Sequence, residues 1–537
     1  MGLAHCTGFK VRGKKLAGME MKRIGKTFLC LAALLLALLG ASASADATIT
    51  FSPENPKMGE YVDVVVQPDR AGAQGVLYTL KAGSETVYEA KEKELTEHYT
   101  ASFRPRTEGT YTLTATLVYG KKDTESVSVT IPVSGIAPAQ EAPDVVYSQK
   151  DGWWHDKIYS KKHRRSLEKS GCAIFSLSHA LQRMGLTGED IKPDKLAEKY
   201  TGMYIQGRGT DNEGLLVRAG GEYGFQTYPD LIETEHGIVT SLKRGDMLSF
   251  SVALGHIAMA DGISEDGTKV HVIDSAPGAT YERKDRFKTK GHIYFRQADG
   301  SFVEAKEPED LPGMRWFFET GDYGGMDYWM DITYCASRGM RMMIATPWLQ
   351  AQSDGELVPA GLEYAGALVS RVTLKGEEVR VPTSTLTWTS PGADGPRIAL
   401  VTNKKGTYLM DGNKKPLRRY SKKQNVGTMM MVLGVEDDLC YVFWKDTFGY
   451  VSLKDVELLP AQEGGFSTGI VSMNGKTAGT AKVIARNSPL AKGAKVTEWT
   501  IGTPVAIVET GKDFTLVEGK GRRGWILNKY LTPDQSE

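Results

Sequence analysis

The chain has 537 residues, with 66 Lys and Arg against 65 Asp and Glu, a net charge of +1. That balance excludes nucleic acid as the main partner, because phosphate binding needs a strongly basic surface. The 41% hydrophobic content suits ordinary globular cores. At about 150 residues per domain, the length implies three or four units.

Residues 1–45 have the layout of a secretory signal peptide. Lys22-Arg23 and Lys26 precede the apolar run Phe28 to Leu39, and Ala43-Ser44-Ala45 offers small residues for cleavage before Asp46. Met21 is a plausible true start. The apolar run is about a dozen residues, short of the roughly twenty a spanning helix requires. The expected product is secreted or held non-covalently at the cell wall or surface, with no stable membrane span after cleavage. Cys172, Cys335 and Cys440 then remain. An odd, sparse set is a poor disulfide framework and flags a free thiol.

From 46 to 135 the sequence alternates apolar and polar residues in short runs, among them Tyr61 to Val66, Tyr111 to Val118 and Ser126 to Val133. Turn residues separate the runs. About seven strands in ninety residues is the size of an all-β immunoglobulin-like sandwich, and Glu108-Gly109-Thr110-Tyr111 resembles its tyrosine corner. A Pro/Ala-rich linker is expected at 136–144.

The next unit, 145–345, changes to helices followed by strands, an α+β layout. After Cys172, the residues Ala173, Leu177, Ala180, Leu181 and Met184 recur at three- and four-residue spacing, and Gly185 stands where a cap belongs. Cys172 therefore opens an amphipathic helix. Further helices are expected at Pro193 to Tyr200, Asn212 to Tyr223 and Asp327 to Arg338. Strands at Met247 to Ile263 and Val270 to Ile273 flank Asp266-Gly267, a hairpin turn.

The segment 346–400 is strand-rich and fits no unit. Beyond it lies a repeat: Gly427-Thr428 precedes Gly449-Tyr450-Val451 by the interval that separates Gly502-Thr503 from Gly524-Trp525-Ile526. Each interval holds two strand-like runs, which predicts two small β-barrels, at 401–460 and 465–535. They resemble bacterial SH3-like domains, and that resemblance implies binding to cell-wall glycopeptide. Tyr441, Trp444, Tyr450, Trp525 and Tyr530 are candidates for such a face, although aromatic residues at alternate strand positions are more often core.

A dispersed set of residues carries the chemistry. A lone cysteine is most often a small buried hydrophobe. Cys172, however, stands at a helix N-terminus, where free N–H groups and the dipole favour a thiolate and can hold an oxyanion. His256 lies in a strand after Gly255, and the hairpin returns Asp274 to within about two residues of the position opposite. Side chains on one face of neighbouring strands approach to about 5–8 Å, which suits a carboxylate orienting an imidazole base. Asp274 reads equally as a turn residue before Ser275-Ala276-Pro277-Gly278. His179, two turns along the Cys172 helix, reads as structural, and His271 faces away. The histidines show no metal-ligand spacing, and no cofactor is expected.

Together, Tyr147-Ser148-Gln149, Gly171-Cys172-Ala173, Gly255-His256 and Val272-Ile273-Asp274 resemble the papain-like cysteine peptidases, and most the bacteriocin-processing family thirty-nine in its secreted branch. The resemblance covers roughly 145–296. It implies Cys172 as nucleophile, His256 as base, Asp274 as its orienter and Gln149 as the side-chain donor of the oxyanion hole. The usual Gly-Cys-Gly-Pro start is Gly-Cys-Ala-Ile here, and no transporter segment follows, so leader trimming is not implied. The expected architecture is multidomain: a papain-like α+β catalytic domain flanked by the sandwich and the barrels. The expected function is an exported bacterial thiol peptidase acting on peptide or cell-wall peptide amides. A non-catalytic surface adhesion protein is the alternative, and transfer of the acyl group to an acceptor other than water would use the same thioester.

Overall fold

A computed structural model describes residues 46–534, apart from 138–144, 229–230, 254, 283–288, 345–348, 389–396, 413, 418–419, 446 and 463–465. The signal-like segment and most of the expected linker lie outside the described residues. The chain is multidomain and strand-rich, with several separate sheets.

Strict alternation in the first unit produces two antiparallel layers. Thr48–Ser52, Val62–Gln67 and Thr100–Phe103 form one, and Gly75–Ala82, Glu85–Glu89, Gly109–Gly120 and Asp123–Val133 the other. Along Gly109–Gly120, Tyr111, Leu113, Ala115 and Leu117 point into the core between them. The Tyr111 hydroxyl donates to the Thr107 carbonyl and accepts from its N–H, both at 3.2 Å, pinning the corner. The sandwich also borrows from far downstream. Phe317 pairs with Ser102 on the edge strand, and the Phe318 ring stacks on Tyr78 in the core at 5.1 Å. The expected limit at 135 therefore leaves out part of this core.

An eight-stranded antiparallel sheet organises the second unit, with the helix Cys172–Arg183 lying over it. The apolar face of that helix, including Ile174, Phe175, Leu177 and Leu181, is fully buried. Each such side chain contributes roughly 1.5–3 kcal/mol. Helices Pro193–Lys199 and Asn212–Tyr223 stand where expected.

Two expectations for this unit need correction. Met247 to Ile263 is two strands, Met247–Ala253 and His256–Ile263, folded back on each other with Ala253 opposite His256. Gly255 makes the return at φ +71°, where a side chain would be strained. The helix expected at Asp327 begins only at Ile332. Met326–Asp331 is a strand paired along Lys269–Asp274, and Tyr328 and Met330 point inward at period two.

The C-terminal repeat is real in topology and has a third copy. In each copy the first strand pairs with the second and the fifth, the second to fourth form a meander, and a one-turn 3-10 helix precedes the fifth. First strands are Leu349–Ser353, Arg397–Val401 and Ser467–Val471. A β-bulge interrupts the second-to-third pairing in every copy, at Leu362/Tyr364, Val432/Gly434 and Ile507/Glu509. Within the segment 346–400, Leu349 to Trp388 is thus the first copy and Arg397 already opens the second, and the third carries an added hairpin, Lys482–Arg486 with Lys495–Thr500. The expected barrels are not formed. The fourth and fifth strands lie at opposite edges in the first two copies, in the third the added hairpin takes the edge beside the fourth, and in none do the fourth and fifth pair among the described residues, so each sheet stays open.

Candidate active site

Gly171 sets the start of the Cys172 helix. A Cβ there would lie 2.6 Å from the Leu167 carbonyl oxygen, so only glycine permits the preceding turn to pack so closely. Cys172 follows as the first helical residue and is half-buried. The sheet beneath supplies its partners. Ser176 donates to the Ile257 carbonyl at 3.2 Å, tying the helix to the His256 strand.

His256 and Asp274 are both buried, and His256 Nε2 lies 2.6 Å from Asp274 Oδ1. The Cys172 sulfur lies close enough to the same imidazole for each group to shift the other's titration, and with Nε2 taken by Asp274, Nδ1 is the ring nitrogen left to meet it. The structure therefore brings Cys172, His256 and Asp274 together in one cluster.

The electrostatics follow from that contact. Burial alone would raise the Cys172 thiol. The hydrogen bond and charge of His256, with the N–H groups of Ile257 and Ala173, outweigh it and hold the thiol below its ordinary value. Burial likewise opposes the imidazolium, but Asp274 and the sulfur push His256 up to about 10. Asp274 is held below the usual carboxylate range against its own burial, chiefly by His256. Each shift favours the charged form of its group, thiolate on one side and imidazolium on the other.

Asp274 is itself held from three further directions. Its Oδ1 accepts from the Ala276 N–H at 2.8 Å, and its Oδ2 from the Thr280 hydroxyl at 2.6 Å and the Tyr328 hydroxyl at 2.9 Å. Such bonds fix a carboxylate and so the ring that it orients. Sequence reasoning missed Thr280 and Tyr328. The alternation of Tyr328 with Met330 was the available signal, hidden by reading that segment as helix.

Gln149 is buried beside these residues. Its backbone N–H donates to the Ser275 carbonyl at 3.1 Å, and its Oε1 accepts from the Ser275 hydroxyl at 2.8 Å. Nε2 donates to the Glu168 carbonyl at 2.8 Å, using one of its two hydrogens. The amide therefore bridges the turn entering the Cys172 helix and the residue after Asp274. Tyr159, buried and close enough to Cys172 to feel its charge, accepts from the Thr210 hydroxyl at 3.1 Å.

The other histidines stand apart. His179 accepts from the Tyr147 N–H at 2.8 Å, and burial depresses it to about 3, so it is a neutral core residue. His271 lies between Asp261 at 2.6 Å and Asp327 at 3.1 Å, away from the sulfur. Cys335 and Cys440 are buried, unbridged thiols pushed up by burial. Among the described residues no group of three His, Cys, Asp or Glu side chains could hold a metal ion, and no helix is long and apolar enough to cross a membrane. Two of the aromatic residues considered for ligand binding are already engaged. Tyr441 and Tyr450 are buried against His236, and the Tyr450 hydroxyl lies 3.0 Å from that of Thr234.

No protein-family model and no curated protein matches this sequence. Among solved structures the neighbours are weak. NlpC1 from Trichomonas vaginalis is 15% identical, with a TM-score of 0.12 over 28% of this chain and 48% of its own. NlpC2 from the same organism is 13% identical, with a TM-score of 0.12 over 27% and 52%. The chain thus spans about half the length of these two. A carbohydrate-binding module of the β-sandwich superfamily is 11% identical, with a TM-score of 0.14 over 56% of this chain and 89% of its own.

Proposed function

We propose that the chain is a cysteine peptidase, exported and acting on peptide or cell-wall peptide amide bonds. One observation carries this reading: a half-buried cysteine at a helix N-terminus, beside an imidazole whose Nε2 is 2.6 Å from a buried carboxylate. The thiolate of Cys172 attacks the amide carbonyl. The oxyanion that forms takes hydrogen bonds from the Cys172 N–H and the second Nε2 hydrogen of Gln149. His256 gives its proton to the departing amine as the C–N bond breaks, leaving a thioester. Neutral His256 then takes a proton from water, the hydroxyl adds to the thioester, and the acid leaves as the thiolate and imidazolium are restored. Asp274 keeps the ring aligned and stabilises its charge throughout.

Export rests on the signal-like layout of residues 1–45. Three C-terminal copies of one sheet fit attachment to a repetitive wall surface.

Incubation of the purified full chain with a peptide library and with peptidoglycan fragments, reading new amino termini, tests the activity. Cys172→Ala is expected to lose about 10⁴-fold or more in rate while keeping its fold. Equal cleavage by that variant would reject the mechanism. A purely adhesive protein would cleave nothing and bind the wall equally well with either residue.

A further inference from the structure

The turn Lys161-Lys162-His163-Arg164-Arg165 concentrates positive charge on a chain whose net charge is +1. It joins two short strands, Ile158–Ser160 and Arg165–Ser166, and the second leads through the one-turn helix Leu167–Ser170 into Gly171 and Cys172. We infer that this turn selects the substrate of the cleft, a peptide carrying carboxylates a few residues from the amide that is cut. The inference rests on the peptidase reading of Cys172.

A layer of side chains connects the turn to the site. The Thr210 hydroxyl lies 3.1 Å from that of Tyr159 and 3.5 Å from the carbonyl oxygen of Ser170, just ahead of Cys172. The buried Tyr159 ring meets the Tyr204 ring edge-on at 6.0 Å. Tyr204 in turn holds the basic residues: its hydroxyl accepts from Arg165 Nε at 3.2 Å, and its ring lies 5.2 Å from that of His163. These steps put the turn roughly 10–15 Å from the sulfur, the span of about three to five residues of extended chain at about 3.3 Å each.

The charge at the turn is unmatched. Lys161, Lys162, Arg164 and Arg165 are exposed and have no ion pair among the described residues. The same holds for Lys169 on the short helix and for Arg208, which stands in the turn of the hairpin that carries Tyr204 and Thr210. Lys150 and Lys157, deeper in the same unit, are by contrast paired, with Asp322 at 2.7 Å and Asp194 at 2.9 Å. Like charges held together repel, and an occupant bearing carboxylates reverses that cost while being drawn to the cleft. An anionic polymer would suit the charge but offers the thiol no amide to cut, whereas an acidic peptide satisfies both.

The test uses the full chain in two forms. In Cys172→Ala, fluorescence anisotropy compares labelled peptides of repeating Gly-Glu-Ala and repeating Gly-Gln-Ala. In the active chain, new amino termini are read from a peptide library that holds each sequence in a Glu and a Gln form. The Glu peptide is expected to bind about tenfold or more tightly at low salt and to lose most of that advantage at about 0.5 M. Glu forms are expected to be cleaved with a correspondingly higher kcat/KM. Lys161→Glu with Lys162→Glu should abolish the preference. The same two charge reversals at Lys404 and Lys405, an exposed pair in the second C-terminal copy, should leave it in place. Equal binding of the two peptides, a preference lost equally through Lys404 and Lys405, or binding of polyphosphate at the turn without any preference between the peptides would overturn the inference. Cleavage that ignores Glu against Gln would reject it and leave the peptidase reading standing. A clear binding preference with no cleavage at all would reject the peptidase reading and leave the acid-selective turn.

Discussion

His256 and Asp274 meet across neighbouring strands although they are not opposite each other. Met259 faces Ile273 and Ala260 faces Val272, so Asp274 falls two residues away from the position facing His256. The diagonal is closed by the imidazole reaching along the sheet to 2.6 Å. Replacing the carboxylate by an amide keeps this shape and removes its charge. Asp274→Asn is expected to lower kcat by about 10²-fold and to bring the alkaline limit of activity down from near the His256 value. An unchanged pH profile in that variant would show that Asp274 is not the partner of the ring.

The same contact sets a pH window. His256 is raised from 6.5 to about 10, so the stability it adds is complete below 6.5 and is lost as pH rises through 10. Asp274 is depressed from 3.8, so its contribution is present above 3.8 and lost as pH falls through the lower folded value. Between these limits the charged His256 beside it favours the thiolate of Cys172. Alkylation of Cys172 by iodoacetamide is expected to begin at more acid pH than for a free thiol and to run level through neutrality. In His256→Gln the alkylation rate should instead rise with pH, as for an ordinary cysteine. Mass spectrometry of the modified peptide distinguishes the two.

How much of this was legible depended on whether the signal was local. The Cys172 helix, the Asp-Gly hairpin and the strand run of the sandwich are written in three- or two-residue periods and turn residues, and they stand where those periods put them. Gly255 turns the chain between two strands where the sequence reads as one, because apolar residues on both sides conceal the break. The third copy of the C-terminal sheet escaped notice because its likeness to the others lies in strand order and bulge position, not in Gly-Thr and Gly-aromatic pairs. Phe318 in the sandwich core could not be foreseen at all: the contact spans more than two hundred residues and leaves no periodic trace.

Tyr328 gives a sharper test of the site's support. Its hydroxyl donates to Asp274 Oδ2 from a strand that also pairs with the Asp274 strand. Tyr328→Phe removes one of three side-chain or backbone donors besides His256 and leaves the packing intact. A loss of about 1 kcal/mol in stability and a several-fold fall in kcat are expected, with KM little changed. A rise in KM alone would place the residue in substrate binding instead.

Gln149 is fixed on Ser275 and Glu168, so its free Nε2 hydrogen has a defined direction. Gln149→Ala should reduce kcat by about 10²–10³-fold if that hydrogen meets the oxyanion. Because Ser275 and Glu168 also lose a partner, the iodoacetamide rate of Cys172 is the control. It should remain as in the wild type, since thiolate formation depends on His256. A parallel fall in alkylation would show that Gln149 acts by holding the site together.

Glu319 marks the junction of the first two units. It follows the Phe317–Phe318 pair that completes the sandwich, and a Cβ on Gly152 would run into its carboxylate, which therefore sits directly over the second unit's backbone. Its Oε2 is buried with no partner among the described residues. Burial raises the group to about 8, with Asp151 and Asp156 adding to the effect and Arg106 opposing it. An acid raised in this way is protonated in the fold at pH values where the unfolded chain has released its proton. Its contribution to stability is therefore undiminished below 4.5 and declines as pH rises towards 8. Glu319→Gln cannot ionise and escapes that decline. Its unfolding temperature should match the wild type near about pH 4.5 and exceed it by a few degrees near about pH 8, with the transition of the sandwich moving most. An offset that stays constant with pH would mean that the carboxyl does not titrate in this range, and that the junction is indifferent to its charge.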